Sequence, residues 1–389
     1  MPLFWALSAF ILGICMIIYP QEIYTSSLYG LRIWWDIVLP SLLPFFIIAN
    51  VSMNLGAVKV LGALVEPLMR PLFNLPGESA LVVAIGFTSG FPIGAALTAK
   101  LRKENTITRI EAERLLAFTN NASPLFMFVA LAVGMLRLPD VGLIIAVSHY
   151  CANIGVGLIF RFHGKEKKPN KSLESYPSRV RIAFKHFLSN KTKPIGILLS
   201  DAVKSAMQSL TSIGGYIIFF AVLLKCLELL GFIAGLENLI AAFLPFELSS
   251  QFQTALAKGF FEMTIGNRLT AEALGSIETK LMLVSVILAW SGLSIHAQVI
   301  SQINDTDIRY YPFLIARIIQ VLFAVIICKI LFSNHVFTIA QTTSFSYMLQ
   351  NSMSTHQVWM NSLYLINATL VISLVLVATK KLHHFIFGF

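Results

Sequence analysis

Charge is scarce in this chain, and so are the motifs that chemistry on a bound substrate requires. Only 12% of the residues are Asp, Glu, Lys or Arg, about half the share of an ordinary soluble domain. There is no Gly-x-Ser-x-Gly elbow, no P-loop and no His-Glu-x-x-His. No carboxylate pair has a spacing suited to acid–base work, so nothing argues for an enzyme or a cofactor. The missing nucleotide loop also argues against a primary pump made of this chain alone. The four cysteines (Cys15, Cys151, Cys226, Cys328) lie inside apolar segments and none belongs to a Cys-x-x-Cys pair. Neither a disulfide framework nor a metal site is indicated, and they read as packing residues.

Apolar residues are plentiful. They make up 56% of 389 residues, and the mean hydropathy is +0.76. Such a chain is a polytopic membrane protein. The formal charge of +10 does not point to nucleic acid, because ten Lys/Arg against two acidic residues fall within Arg161–Lys193. That stretch reads as one cytoplasmic loop obeying the positive-inside rule, with anionic lipid headgroups as a further contact open to it.

Windows of about 20 apolar residues suggest spans at Leu3–Tyr19, Trp35–Gly56, Leu115–Leu136, Val141–Phe160, Thr211–Gly231, Leu281–Ile300, Pro312–Phe332 and Asn361–Ala378. Leu3–Tyr19 lacks a basic leader and a small-residue exit, so it reads as a membrane helix and not a signal peptide. Trp5, Trp34, Trp35 and Trp359 fall near segment ends, where amphipathic rings prefer the interface. Ala57–Leu75 and Phe232–Phe246 are short or punctuated by proline, as interfacial helices would be. Thr108 with Glu111 predicts a capping box that starts a helix running into Leu115.

Within Glu78–Lys100, four breakers (Gly86, Gly90, Pro92, Gly94) are packed into a window of nine positions. A plain spanning helix tolerates one more easily than four, and broken backbone in lipid survives only against protein or a watery cavity. Two readings follow: a re-entrant helical hairpin turning at Gly86–Gly94, favoured here, or a kinked span with close-packed glycines. The chain repeats the pattern 173 residues later, in Gly259-Phe-Phe-Glu262-Met-Thr264-Ile-Gly266. Asn120-Asn121-Ala-Ser123-Pro124 is answered by Ser291-Gly292-Leu-Ser294-Ile-His296-Ala-Gln298, and Leu39–Gly56 by Leu210–Gly231. Interrupted apolar segments at corresponding places are the best sequence pointer to a carrier's substrate site.

Charge then orients the halves. Lys100–Arg114 carries five basic residues against three acidic and Arg268–Lys280 is balanced at two each, which puts the first loop inside and the second outside. The expected fold is therefore an all-α polytopic membrane protein of about eight transmembrane helices plus two re-entrant hairpins in an inverted repeat. Both termini are cytoplasmic, with Lys380 and Lys381 in agreement. The expected organisation is 1–34 (first membrane helix and external loop), 35–160 (first repeat), 161–205 (basic loop), 206–332 (second repeat) and 333–389 (polar external loop and last helix).

Four polar clusters at membrane depth are candidate sites. Thr88, Ser89, Gly90 and Gly94 form the first hairpin tip, whose helix N-terminus suits a carboxylate or phosphate. Asn120, Asn121 and Ser123 precede Pro124, which disfavours regular helix just before it; interhelical amide bonding is the other reading of the asparagines. Glu262, Thr264 and Asn267 belong to the second hairpin, and Ser291, Ser294, His296 and Gln298 to the second broken span. Glu262 and His296 are the ionisable residues inside these clusters. They read as a proton-coupling pair, as a structural hydrogen bond or as substrate contacts. No arginine at membrane depth stands out.

At Ser89–Ala95, the Lys100–Glu113 connector, Asn120–Pro124, Gly259–Gly266 and Gly292–Gln298, the chain resembles the YlbJ (SpoVV) family of sporulation integral membrane proteins. Phe91 and Ile93 stand where Tyr and Val are expected. The family's core is a gate, or nucleoside-recognition, domain distantly similar to concentrative nucleoside transporters. The resemblance implies transport of dipicolinic acid across the outer forespore membrane. A nucleoside carrier and a non-transporting scaffold or sensor are the alternatives. The partners implied are a small-molecule substrate and the lipid bilayer; a homo-oligomer is left open.

Overall fold

A computed structural model describes residues 2–55, 64–164, 194–243 and 247–333, which are helices and connections without a strand. Most of the loop expected at Arg161–Lys193 (residues 165–193) and the segment 334–389, with the last expected span, Trp359, Lys380 and Lys381, lie outside the described residues, as do 56–63 before and within the expected piece Ala57–Leu75 and 244–246 at the end of Phe232–Phe246.

α1 spans Pro2–Ile18 and α2 Pro20–Arg32. The region from 20 to 34, expected as an external loop, is thus helical up to a wide-turned stretch at Ile33–Val38 that leads into α3, Leu39–Leu55. Pro20 sits in the first turn of α2, where its missing N–H is no loss. Gly30 on α2 touches the backbone of the long helix at Ile217 and Ile218, so the two pack closely.

The candidate first hairpin is α4, Ser79–Ser89, and α5, Ile93–Lys103, with the chain reversing at Gly90–Pro92. Gly90 has φ of 85° and the Phe91–Pro92 peptide is cis. α6, Arg109–Thr119, opens on the expected capping box: Thr108 Oγ1 accepts from Glu111 N at 3.2 Å, and Glu111 Oε2 accepts from Thr108 N at 3.0 Å. The expected span Leu115–Leu136 is broken. α6 stops at Thr119, residues 120–123 are irregular, and a wide-turned helix resumes over Phe126–Met135. Pro124 is the cause, since the residues before it are steered away from helix. α7, Gly142–Phe160, follows.

The same order then recurs. α8, Ile195–Leu229, is 35 residues long, or about 50 Å at 1.5 Å per residue. It begins well before the expected Thr211 and runs unbroken through the boundary drawn at 205/206. α9 is Phe232–Phe243. α10, Ser250–Phe261, and α11, Met263–Glu272, form the second helix pair, joined at extended Glu262. α12, Ile277–Trp290, and α13, Gly292–Ile303, are one apolar span broken at Ser291 and Gly292, both with φ of 75°. α14, Tyr311–Ser333, packs against α7 and α12.

Among the described residues, five helical stretches are long and apolar enough to cross a membrane: Pro20–Ile48, Pro139–Phe160, Ile195–Leu229, Ile277–Ile303 and Tyr311–Ser333. The connector after α5 and the one after α13 meet at one end of the bundle. Arg102 grips Asp307 with Nε and Nη2 at 2.7 and 2.9 Å, and Lys103 reaches Asp305 at 3.1 Å. Arg309 holds the buried Glu113 carboxylate at 2.7 and 2.8 Å, and His163 Nε2 adds a third bond at 2.7 Å. These contacts join the two halves of the chain.

Candidate functional site

Both breaks and both helix-pair tips arise where glycine, proline or a capping side chain interrupts an apolar run, and the two tips, the first break and the helix that follows the second break converge on one cavity. Its polar lining comes from four directions. Ser89 and Gly90 belong to the first tip, Ser123 to the first break, Glu262 and Thr264 to the second tip, and Ser294 and Gln298 to α13. Val38, Leu42 and Phe46 at α3 and Ile213, Tyr216 and Ile217 on α8 close it with apolar surface. The combination of apolar wall and few convergent polar groups is that of a small-molecule site.

Seven of the candidate residues therefore face one space, and the other seven do not line it. Thr88 turns back to its own helix and donates to the Ala84 carbonyl at 2.8 Å. Gly94 packs against the Thr119 carbonyl, which enters between the arms of the first pair; Gly86 touches it from the other arm. Asn120 and Asn121 are fully buried behind the wall. Asn121 Nδ2 donates to Phe118 O at 3.0 Å and its Oδ1 accepts from Asn153 Nδ2. Asn267 is fully buried and its amide lacks a partner among the described residues. Ser291 donates to Leu288 O at 3.1 Å.

Glu262 and His296 do not hydrogen-bond to each other. The Glu262 carboxylate caps α11, accepting from Ile265 N at 2.7 Å, and Thr264 bonds it as well. His296 is held through Nδ1 by the Tyr310 hydroxyl at 2.5 Å and through Nε2 at the Trp290 carbonyl at 2.9 Å, with Trp290 tilted over its ring. The second tip therefore differs from the anion-binding amides expected of the first. A carboxylate already satisfies that helix N-terminus, which favours negative charge.

The sequence reading missed a layer behind the cavity. Arg317, on α14, is completely buried. Its Nη1 donates to Asn120 O at 3.3 Å and its Nη2 to Ala117 O and to Asn153 Oδ1, the latter at 3.2 Å. The guanidinium also lies 5.0 Å from the Phe313 ring centre. His149, Asn153 and Gln320 are buried beside it; His149 Nε2 accepts from Ala122 N at 3.3 Å. A lone arginine inside an apolar run such as Pro312–Phe332 is by itself a flag for function, and that signal was in the sequence. Tyr150 spans the first tip and the first break, its hydroxyl 2.9 Å from Phe87 O and 3.1 Å from Ala122 O.

Comparison with known proteins agrees with this architecture. The Gate family, described as nucleoside recognition, matches residues 36–136. The sporulation integral membrane protein YlbJ of Bacillus subtilis (strain 168) is 41% identical over 328 residues, covering 81% of this chain and 79% of that protein. Among solved structures, CNTnw in an inward-facing substrate-bound state superposes with a TM-score of 0.51 over 84% of this chain and 83% of that one. At 11% identity that likeness concerns the fold alone.

Proposed function

The chain belongs to the family of the sporulation integral membrane protein YlbJ, and on that premise we propose that it carries a small polar solute across a membrane through the cavity between its two interrupted helix pairs. The observation that carries this reading is convergence: two tips and two broken spans, from both halves of the chain, contribute the cavity's polar groups. Carriers seat their solutes where discontinuous helices meet. The helix pairs act as re-entrant hairpins and the halves as an inverted repeat, readings supported by the repeated order of elements and by a net basic first trailing loop set against a balanced second one.

Dipicolinic acid, the solute that the family resemblance implies, is the first to test, with the outer forespore membrane as the setting and both termini cytoplasmic. A second reading has its own observation. The Glu262 carboxylate on the cavity wall accepts hydrogen bonds, which suits a neutral hydroxyl-bearing solute of nucleoside type better than a dianion.

Uptake into proteoliposomes separates them. Labelled dipicolinate and labelled nucleosides are offered to the purified protein, with and without a pH gradient and beside Glu262→Gln. Saturable uptake of one solute that the folded mutant loses supports the reading and names the solute class. A scaffold would take up neither and would tolerate the substitution; that result, from folded protein in both orientations, overturns carriage.

A further inference from the structure

α6 ends inside the protein at Thr119, and the carbonyls of its last turn have no helical partners. The C-terminal end of a helix carries partial negative charge, and burial away from water sharpens the need to satisfy it. The chain meets that need from α14. Arg317, with none of its surface exposed, donates to the Ala117 and Asn120 carbonyls and to Asn153 Oδ1, while Asn121 Nδ2 takes the Phe118 carbonyl. Among the described residues no carboxylate forms an ion pair with Arg317, so the broken helix end and the amides are its counter-charge. Its Nε and both side-chain atoms of Asn120 have no hydrogen-bond partner there. In carriers with broken helices, unwound carbonyls and half-helix C-terminal ends are where a coupling cation is coordinated.

We propose that the Arg317 guanidinium is a tethered cation occupying the carbonyl end of the first broken span, in the place of a free coupling ion. It fixes residues 120–123 in the shape that turns Ala122 and Ser123 to the cavity, and it does so without sodium. Arg317 is a positioning residue: it stands behind the wall and does not line the cavity. The inference rests on the carrier reading for its significance, but its test does not use a transported solute, so the two fail separately.

The test is the melting temperature of the purified full-length protein in detergent, in sodium, potassium or choline chloride at equal ionic strength. The wild type should melt at one temperature in all three salts. Arg317→Ala should melt lower, on the order of 5 °C or more. Millimolar guanidinium should restore much of that loss, whereas urea, its neutral counterpart in shape, should not. Sodium-specific stabilisation of the wild type, an unshifted Arg317→Ala, or equal rescue by urea would each overturn the proposal. If Arg317→Ala does not yield folded protein, Arg317→Lys and Arg317→Gln decide. The tethered ammonium should keep the higher melting temperature and indifference to sodium, the neutral amide should lose both, and equal behaviour of the two refutes the tethered-cation role.

Discussion

Gly94→Ala tests how the first helix pair grips the broken span. A methyl group built on Gly94 would collide with the Thr119 carbonyl oxygen and lie 2.7 Å from its carbon and 3.2 Å from Asn120 N. All three obstacles are backbone, which yields less readily than a side-chain tip. Overpacking of this sort costs about 1–3 kcal/mol. Unyielding backbone places the cost in the upper part of that range, and alanine returns up to about 1 kcal/mol through its better helix propensity, so the net loss is about 1–2 kcal/mol, or a fall of about 1–2.5 °C in melting temperature for a chain of 389 residues. Gly215→Ala is the control, because nothing lies within 4 Å of its added methyl; it should melt at or slightly above the wild type. Gly86→Ala presses on the same carbonyl from the other arm, so the double variant should fall short of the sum of the two single losses. Melting of Gly94→Ala alongside Gly215→Ala would show that the arms do not close on Thr119, and the account of the first tip would fail.

Three further outcomes follow from the bonded geometry. Burial alone would push the Glu113 carboxyl up, but hydrogen bonds from Arg309 and His163 outweigh it and hold the group below its ordinary value of 4.5. Its stabilising effect is therefore complete above that value and lost as pH falls through the lower folded one; melting of wild type and Glu113→Gln should differ at pH 7 and converge on acidification. Thr108→Ala removes half of the capping box and should cost about 1 kcal/mol, read by the same melts, with Thr108→Ser near wild type. Tyr310→Phe leaves His296 Nδ1 without its partner inside the protein and should lower stability by about 1–3 kcal/mol; an unshifted melt would mean that His296 finds another donor or acceptor.

The punctuation of the chain was legible because each break has a local cause. Gly90 with Pro92, Asn120 through Pro124, and Ser291 with Gly292 all carry their instruction in the residues at the break, and the Thr108 box specifies its own helix start. What escaped was set by tertiary context. The wide-turned stretches at Ile33–Val38 and Phe126–Met135 have no local code, and α8 runs past its apolar core because its first turns are amphipathic and pack as a helix. The candidate site divided on the same principle. As the ionisable residues of the four clusters, Glu262 and His296 read as a candidate pair, yet side-chain direction sends one to cap α11 and the other to Tyr310. Arg317 was overlooked for a different reason: hydropathy averages over a window, and one arginine hardly moves the mean of α14, while the two carbonyls it holds belong to a distant stretch of chain.

One hydroxyl has a wider meaning. Tyr150 reaches both Phe87 O on the first tip and Ala122 O in the unwound segment, but a phenol has a single proton to give. Tip and segment are rivals for it, and whichever draws closer takes the bond that the other gives up. The exchange leaves the tally of bonds unchanged, so sliding of one piece past the other meets little resistance at this point. Tyr150 is thus a joint with two seats and one proton, in reach of both pieces and bound through that proton to one at a time.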